Sequence, residues 1–225
     1  KLDEKFESAK KKTIEVANDI KERAIEIKEE VQEKIEEAKL DEKFEKMIVI
    51  HPTDITTDFL KNIYLKRAVN HFINEEYTNS EVRYTLNHQC YNNERVYMLG
   101  HGNEYGLFAK TKNQPRLIIN STHVEFLRKL ECIGVWCNAN MFAEKYNLKG
   151  LFTGMIISEM DEAYWYGVNT TNEELKEENE KFACRLKYCI QKYPLNEVPI
   201  RMLELDDKKS QLTTFNYQNI YWYED

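Results

Sequence analysis

From residue 47 onward, solid apolar runs take turns with longer periodic stretches. Met47–Ile50, Val96–Leu99, Cys132–Trp136 and Gly150–Ile157 are the solid runs, and His51-Pro52, Gly100-His101-Gly102, Cys137-Asn138-Ala139 and Ser158 follow them at once. Short apolar runs cut off by Gly, Pro or Asn predict strands of a parallel sheet, buried on both faces. Between the first two runs, Phe59, Leu60, Ile63, Tyr64, Ala68, Phe72 and Ile73 recur on one helical face and predict a crossover helix over Asp58–Glu76. Val82–Leu86 alternates and predicts a second strand. Leu107–Ala109 and Arg116–Ile119, either side of the turn Thr111–Pro115, predict a β-hairpin.

The second half continues in the same way. Ser121-Thr122 cap a predicted helix with Val124, Leu127 and Leu130 inward, and Asn140–Tyr146 predicts a short one. Ser158 with Glu159, Asp161 and Glu162 starts another, where acids suit the positive end of the helix dipole. Thr170 or Thr171 caps a long helix to about Tyr193, ended by Pro194. Ile200–Leu205 and Tyr217–Tyr223 read as short strand-like pieces around the polar turn Asp206–Ser210. Strands alternating with helices call for an α/β fold in which a mainly parallel sheet lies between helices.

Residues 1–46 follow another pattern. They hold no Gly, Pro, Tyr, Trp or Cys, and Ala17, Ile20, Ala24, Ile27, Val31, Ile35 and Ala38 form a narrow stripe near heptad spacing in a Lys/Glu-rich background. Lys1–Glu7 recurs unchanged as Lys39–Glu45. The expected organisation is a charged helical extension over 1–46 and an α/β domain over 47–225. The extension reads as a helix that self-associates or docks an activating partner, as a solvated helix packed on its own domain, or as an added fusion segment, with Met47 then the original start.

Charge and cysteine usage narrow the classes. A net charge of −7 argues against nucleic acid and anionic membrane as partners, since both need a basic face. No apolar run is long enough for a transmembrane helix, and no signal-peptide pattern is present. The five cysteines, Cys90, Cys132, Cys137, Cys184 and Cys189, form no CxxC pair, so a reducing, cytoplasmic setting is expected and no zinc site is signalled. No metal cluster or phosphate-cradling loop is recognisable, and no cofactor is expected.

The candidate chemistry sits where two of the solid runs stop. If Val96–Leu99 and Cys132–Trp136 are neighbouring parallel strands, His101 and Cys137 share the carboxyl edge of the sheet, where open α/β sheets bind ligands. A thiol beside an imidazole makes a nucleophilic pair. His51 ends the first strand and belongs to the same edge. His71, His88 and His123 read as surface or capping residues, and Tyr164-Trp165-Tyr166 as aromatic core or as the floor of a binding groove.

The order strand, His-Gly, hairpin, helix, strand, Cys, helix over Met47–Val168 resembles the caspase-like cysteine peptidases, with its nearest echo in the CHAT-like and gingipain-like members. The resemblance implies a three-layer caspase-like fold, peptide-bond cleavage by a regulated effector protease, Cys137 as nucleophile, His101 as general base, and the N–H groups of Gly102 and Cys137 as oxyanion donors. It also implies a pocket for the residue before the scissile bond, for which Glu159, Asp161 and Glu162 are candidates and Arg or Lys the matching side chain. Trp136 before the Cys and Asn138 after it depart from the family's usual neighbours. Two other readings stand beside this one: an inactive caspase-like module that binds a peptide or partner, and an assembly protein driven by the N-terminal helix.

Overall fold

The computed structural model describes residues 47–89, 95–110 and 115–224, together with Arg23. The predicted extension over 1–46 therefore lies, Arg23 apart, outside the described residues.

The solid runs are strands. Met47–Ile50 (β1), Arg95–Leu99 (β3), Glu131–Val135 (β7) and Gly150–Thr153 (β8) lie side by side in parallel, with the edge strand His71–Ile73 (β2) outside β1. The six-stranded sheet has the order β2-β1-β3-β7-β8-β9, and only Ile220–Tyr223 (β9) runs antiparallel, against β8. Successive residues point to opposite faces. Ile48, Ile50, Val96 and Met98 therefore feed one apolar cluster, and Met47, Val49, Tyr97 and Leu99 the other. Every residue of β1 and β3 is buried, as a sheet covered on both sides requires. Burying one such side chain contributes roughly 1.5–3 kcal/mol.

The first cluster is covered by the helices Asn79–Gln89 (α1), Val124–Leu127 (α2) and Ala139–Tyr146 (α3). The hairpin packs on the same face. Its strands Gly106–Lys110 (β5) and Pro115–Ile119 (β6) form a small antiparallel sheet with the two-residue strand Gly102–Asn103 (β4). Against the other cluster lie a 3-10 turn over Asp58–Ile63 and the helices Asn172–Lys192 (α5) and Val198–Glu204 (α6), with Tyr217 of Gln211–Gln218 (α7). A short helix, Met160–Trp165 (α4), follows β8. Among the described residues no helix is long and apolar enough to cross a membrane.

Three predicted elements are corrected. Asp58–Glu76 is not one helix: the turn stops at Ile63, Lys66 takes a left-handed φ of 65°, and His71–Ile73 pairs with β1. Val82–Leu86 is helix, because Val82 and Leu86 bury one face at i, i+4 spacing while Tyr84 is exposed. Thr78 and Glu81 close a reciprocal cap at its start: Glu81 N–H donates to Thr78 Oγ1 (3.3 Å) and Thr78 N–H to Glu81 Oε2 (2.7 Å). In the tail, Val198–Glu204 and Gln211–Gln218 are helices, and only Ile220–Tyr223 is a strand.

Candidate active site

β3 and β7 are register partners, with Leu99 opposite Val135, so the residues that follow them emerge at one edge. His101 and Cys137 line one narrow cleft of ≈ 20 Å³, with Thr57, Phe59, Leu60, Gly100, Val135, Trp136, Ile156 and Ser158. That volume is room for about one water molecule.

Trp136 holds the two loops together. Its indole is buried against Phe142 and Phe152, and its Nε1–H donates to the Asn103 carbonyl at 3.0 Å, tying β4 to the end of β7. This contact explains Gly102. A Cβ at position 102 would fall 2.1 Å from Trp136 Cδ1 and 2.5 Å from the Gly106 carbonyl oxygen, so the protein's own packing demands glycine here. The Phe108 N–H donates to the His101 carbonyl at 2.7 Å, which makes that pair a hydrogen-bonded one. Gly102, paired with Leu107, is at the next, non-hydrogen-bonded position, and its N–H points away from β5. The Cys137 N–H has no acceptor among the described residues.

A hydrogen-bonded relay fixes the imidazole. Asp54 Oδ1 accepts from the Thr56 N–H (3.0 Å) and from the Thr56 hydroxyl (2.7 Å). His101 Nε2 lies 2.6 Å from the same hydroxyl and 3.6 Å from Asp54 Oδ1. The hydroxyl has one proton and gives it to the carboxylate, so Nε2 carries the proton toward Thr56 and Nδ1 is the basic nitrogen of the neutral ring. Burial pushes the Asp54 carboxyl up. The Thr56 hydroxyl and N–H, then His101 and Lys110, outweigh it and hold the carboxyl below its usual range.

The thiol of Cys137 is held neutral. Its one proton has two acceptors within reach, the Ile156 carbonyl (3.6 Å) and Glu162 Oε1 (3.9 Å), and no hydrogen bond joins the thiol to His101 among the described residues. Its pKa is pushed up to about 12, first by burial and then by the negative charge of Glu162. Cys137 precedes the left-handed N-cap Asn138 of α3, two residues before the first helical one.

The acidic candidates divide. Glu162 Oε2 accepts from Ser158 N–H (2.7 Å), Ser158 Oγ (3.1 Å) and Glu159 N–H (3.1 Å), so this carboxylate caps its own helix and faces the thiol. Glu159 is the N-cap of the same helix, and Asp161 is exposed. His51 does end β1, but it is buried, with Nδ1 on the Tyr64 hydroxyl at 3.0 Å; burial lowers its pKa. His123 is buried too and closes a reciprocal cap with Asn120. Tyr164 and Trp165 are not core: they are 84% and 76% exposed.

Four supports of this site carry no signal in the sequence. Asp54 and Thr56 carry no motif, and their role appears only once β1 is set beside β3. Thr57 lines the cleft with a buried hydroxyl that has no hydrogen-bond partner among the described residues. Asn216 grips Ile157 at both backbone groups, accepting from its N–H (2.8 Å) and donating to its carbonyl (3.0 Å), which fixes the segment leading to Glu162. Among the described residues no group of three or more His, Cys, Asp or Glu is arranged to hold a metal. Comparison with protein-family models, with curated proteins and with solved structures gave no match.

Proposed function

We propose that this chain is a cysteine peptidase of the caspase-like type, with Cys137 as nucleophile and His101 as general base. The observation that carries the reading is the single cleft lined by both side chains at the carboxyl ends of neighbouring strands. The element order supports it as well: β3, His101-Gly102, the hairpin, α2, β7, Cys137 and α3 follow in the sequence on which the resemblance rests. His101 Nδ1 takes the thiol proton and the sulfur attacks the peptide carbonyl carbon. The imidazolium then protonates the leaving amine, and water releases the acyl group from the sulfur. The free N–H groups of Gly102 and Cys137 are the donors assigned to the oxyanion. The unpartnered Thr57 hydroxyl is a third donor available to substrate.

In the resting arrangement burial and Glu162 oppose thiolate formation. Catalysis therefore requires that substrate or an activating partner change the buried surroundings of the sulfur and draw Glu162 away from it, which makes regulation part of the proposal. Of the acidic candidates, exposed Asp161 is the one available to an Arg or Lys side chain; Glu159 and Glu162 serve first as caps.

The neutral thiol favours a second reading, an inactive module of the same architecture that binds a peptide or partner. Turnover separates the two. A quenched peptide library carrying Arg or Lys before the scissile bond is cleaved by the wild type, and Cys137→Ala abolishes cleavage, if the chain is a peptidase. Intact peptides with the wild type, with Cys137→Ala and with Glu162→Gln, at concentrations where all three bind, favour the module.

A further inference from the structure

A second cavity of ≈ 460 Å³ shares His101 with the cleft that holds Cys137 and is lined by Pro52, Thr53, Asp54, His101, Phe108, Lys110, Arg116 and Leu117. We propose that it receives the segment of a peptide substrate that follows the scissile bond, taking a large apolar side chain first and an acidic one next. This rests on the peptidase reading.

Four observations carry it. First, His101 is the wall common to this cavity and to the cleft holding Cys137. In the reaction the imidazole hands its proton to the leaving amine, so the chain attached to that nitrogen runs past His101 on the side away from the sulfur. Second, the hairpin presents an apolar surface where solvent would favour polar groups. Leu107 and Ala109 of β5 are buried in the core, while Phe108 and its cross-strand partner Leu117 are only half-buried and face the cavity. Third, the volume lies within the range that holds small ligands and exceeds what one side chain needs. Fourth, the charges at the cavity favour an acid. Arg116 directs its guanidinium to the Asn79 side chain and to the carbonyls of Glu75 and Tyr77, and it forms no ion pair among the described residues, although its charge acts on Glu81. Lys110, at the exposed end of β5, forms no ion pair within 4 Å among the described residues, although its charge acts on Asp54. Asp54 is the one carboxylate among the lining residues, and it is engaged by Thr56.

The test uses the full chain and two pools of N-acetylated hexapeptides. Their residues before the scissile bond are randomised, and those after it are Phe-Asp in one pool and Ser-Lys in the other. Binding is read by calorimetry on Cys137→Ala, and cleavage on the wild type by mass spectrometry. The Phe-Asp pool binds about tenfold or more tighter, as burial of an aromatic side chain implies. Phe108→Ala removes that preference, and Lys110→Glu reverses the preference for the acid. Both substitutions are on the outer face of the hairpin. The proposal is overturned if the two pools bind alike, or if Lys110→Glu and Phe108→Ala leave the preference unchanged, whatever the wild type cleaves. Absence of cleavage with the binding preference intact counts against the peptidase reading and keeps the pocket's chemistry.

Discussion

Glu162 adds its negative charge to the burial that holds the Cys137 thiol neutral. Its carboxylate caps α4 and sits against the sulfur of Cys137. Removing the charge while keeping the cap oxygen lowers the energy of the thiolate. Glu162→Gln is therefore expected to bring the thiol pKa down from about 12 and to speed alkylation of Cys137 by iodoacetamide at pH 8 several-fold. Peptide mapping of alkylation rates checks this, with exposed Cys184 as the internal reference. An unchanged rate at Cys137 would mean that burial alone governs the thiol. Thr57 gives a prediction of the opposite kind. Its hydroxyl is already unpartnered, so Thr57→Val loses no hydrogen bond and leaves the melting temperature unchanged or raised. The same substitution lowers kcat/KM if the hydroxyl meets substrate, and parallel melting and turnover measurements decide.

At the level of elements, position in the sheet matters more than local propensity. The strand ends bearing His101 and Cys137 were legible in the sequence because burial on both faces leaves a solid apolar run and glycine or asparagine marks its end. The alternation of Val82, Tyr84 and Leu86 misled, since two residues four apart suit a helix face as well as a strand face. There the Thr78-x-x-Glu81 cap was the better signal. Asp54, Thr56 and Asn216 could not be read at all, because their partners lie 45 or more residues away or depend on a loop path that only packing fixes. The Asn216 clamp makes this testable. Asn216→Leu leaves both backbone groups of Ile157 buried without partners, at about 1–3 kcal/mol each, and releases the segment that presents Glu162. A urea midpoint lowered accordingly, with faster alkylation of Cys137, is the expected pair of results. A stable variant with a slow thiol would separate the clamp from the site.

Across the whole molecule, two buried histidines link stability to pH. Burial lowers the pKa of His51 and of His123 from the ordinary 6.5. The folded state thus favours neutral rings, and the unfolded chain binds more protons below pH 6.5. Stability is full above that value and falls as pH drops through it, before the carboxylates begin to titrate. A melting temperature that declines from pH 7 to pH 5, with a smaller decline in His51→Gln, is expected; a flat profile would contradict it. The same global packing sets β3 beside β7 and so joins the chemistry of two distant segments.

The most direct measurement of the central claim is covalent labelling of the full chain with a peptidyl acyloxymethyl ketone, read by mass spectrometry of the intact protein and its peptides. Such a reagent is carried to the thiol by peptide recognition and needs an assisting base. A single adduct on Cys137, formed at least 10²-fold more slowly in His101→Ala, is the predicted result. Labelling spread over the cysteines according to exposure, or an adduct rate at Cys137 indifferent to His101, would contradict the claim.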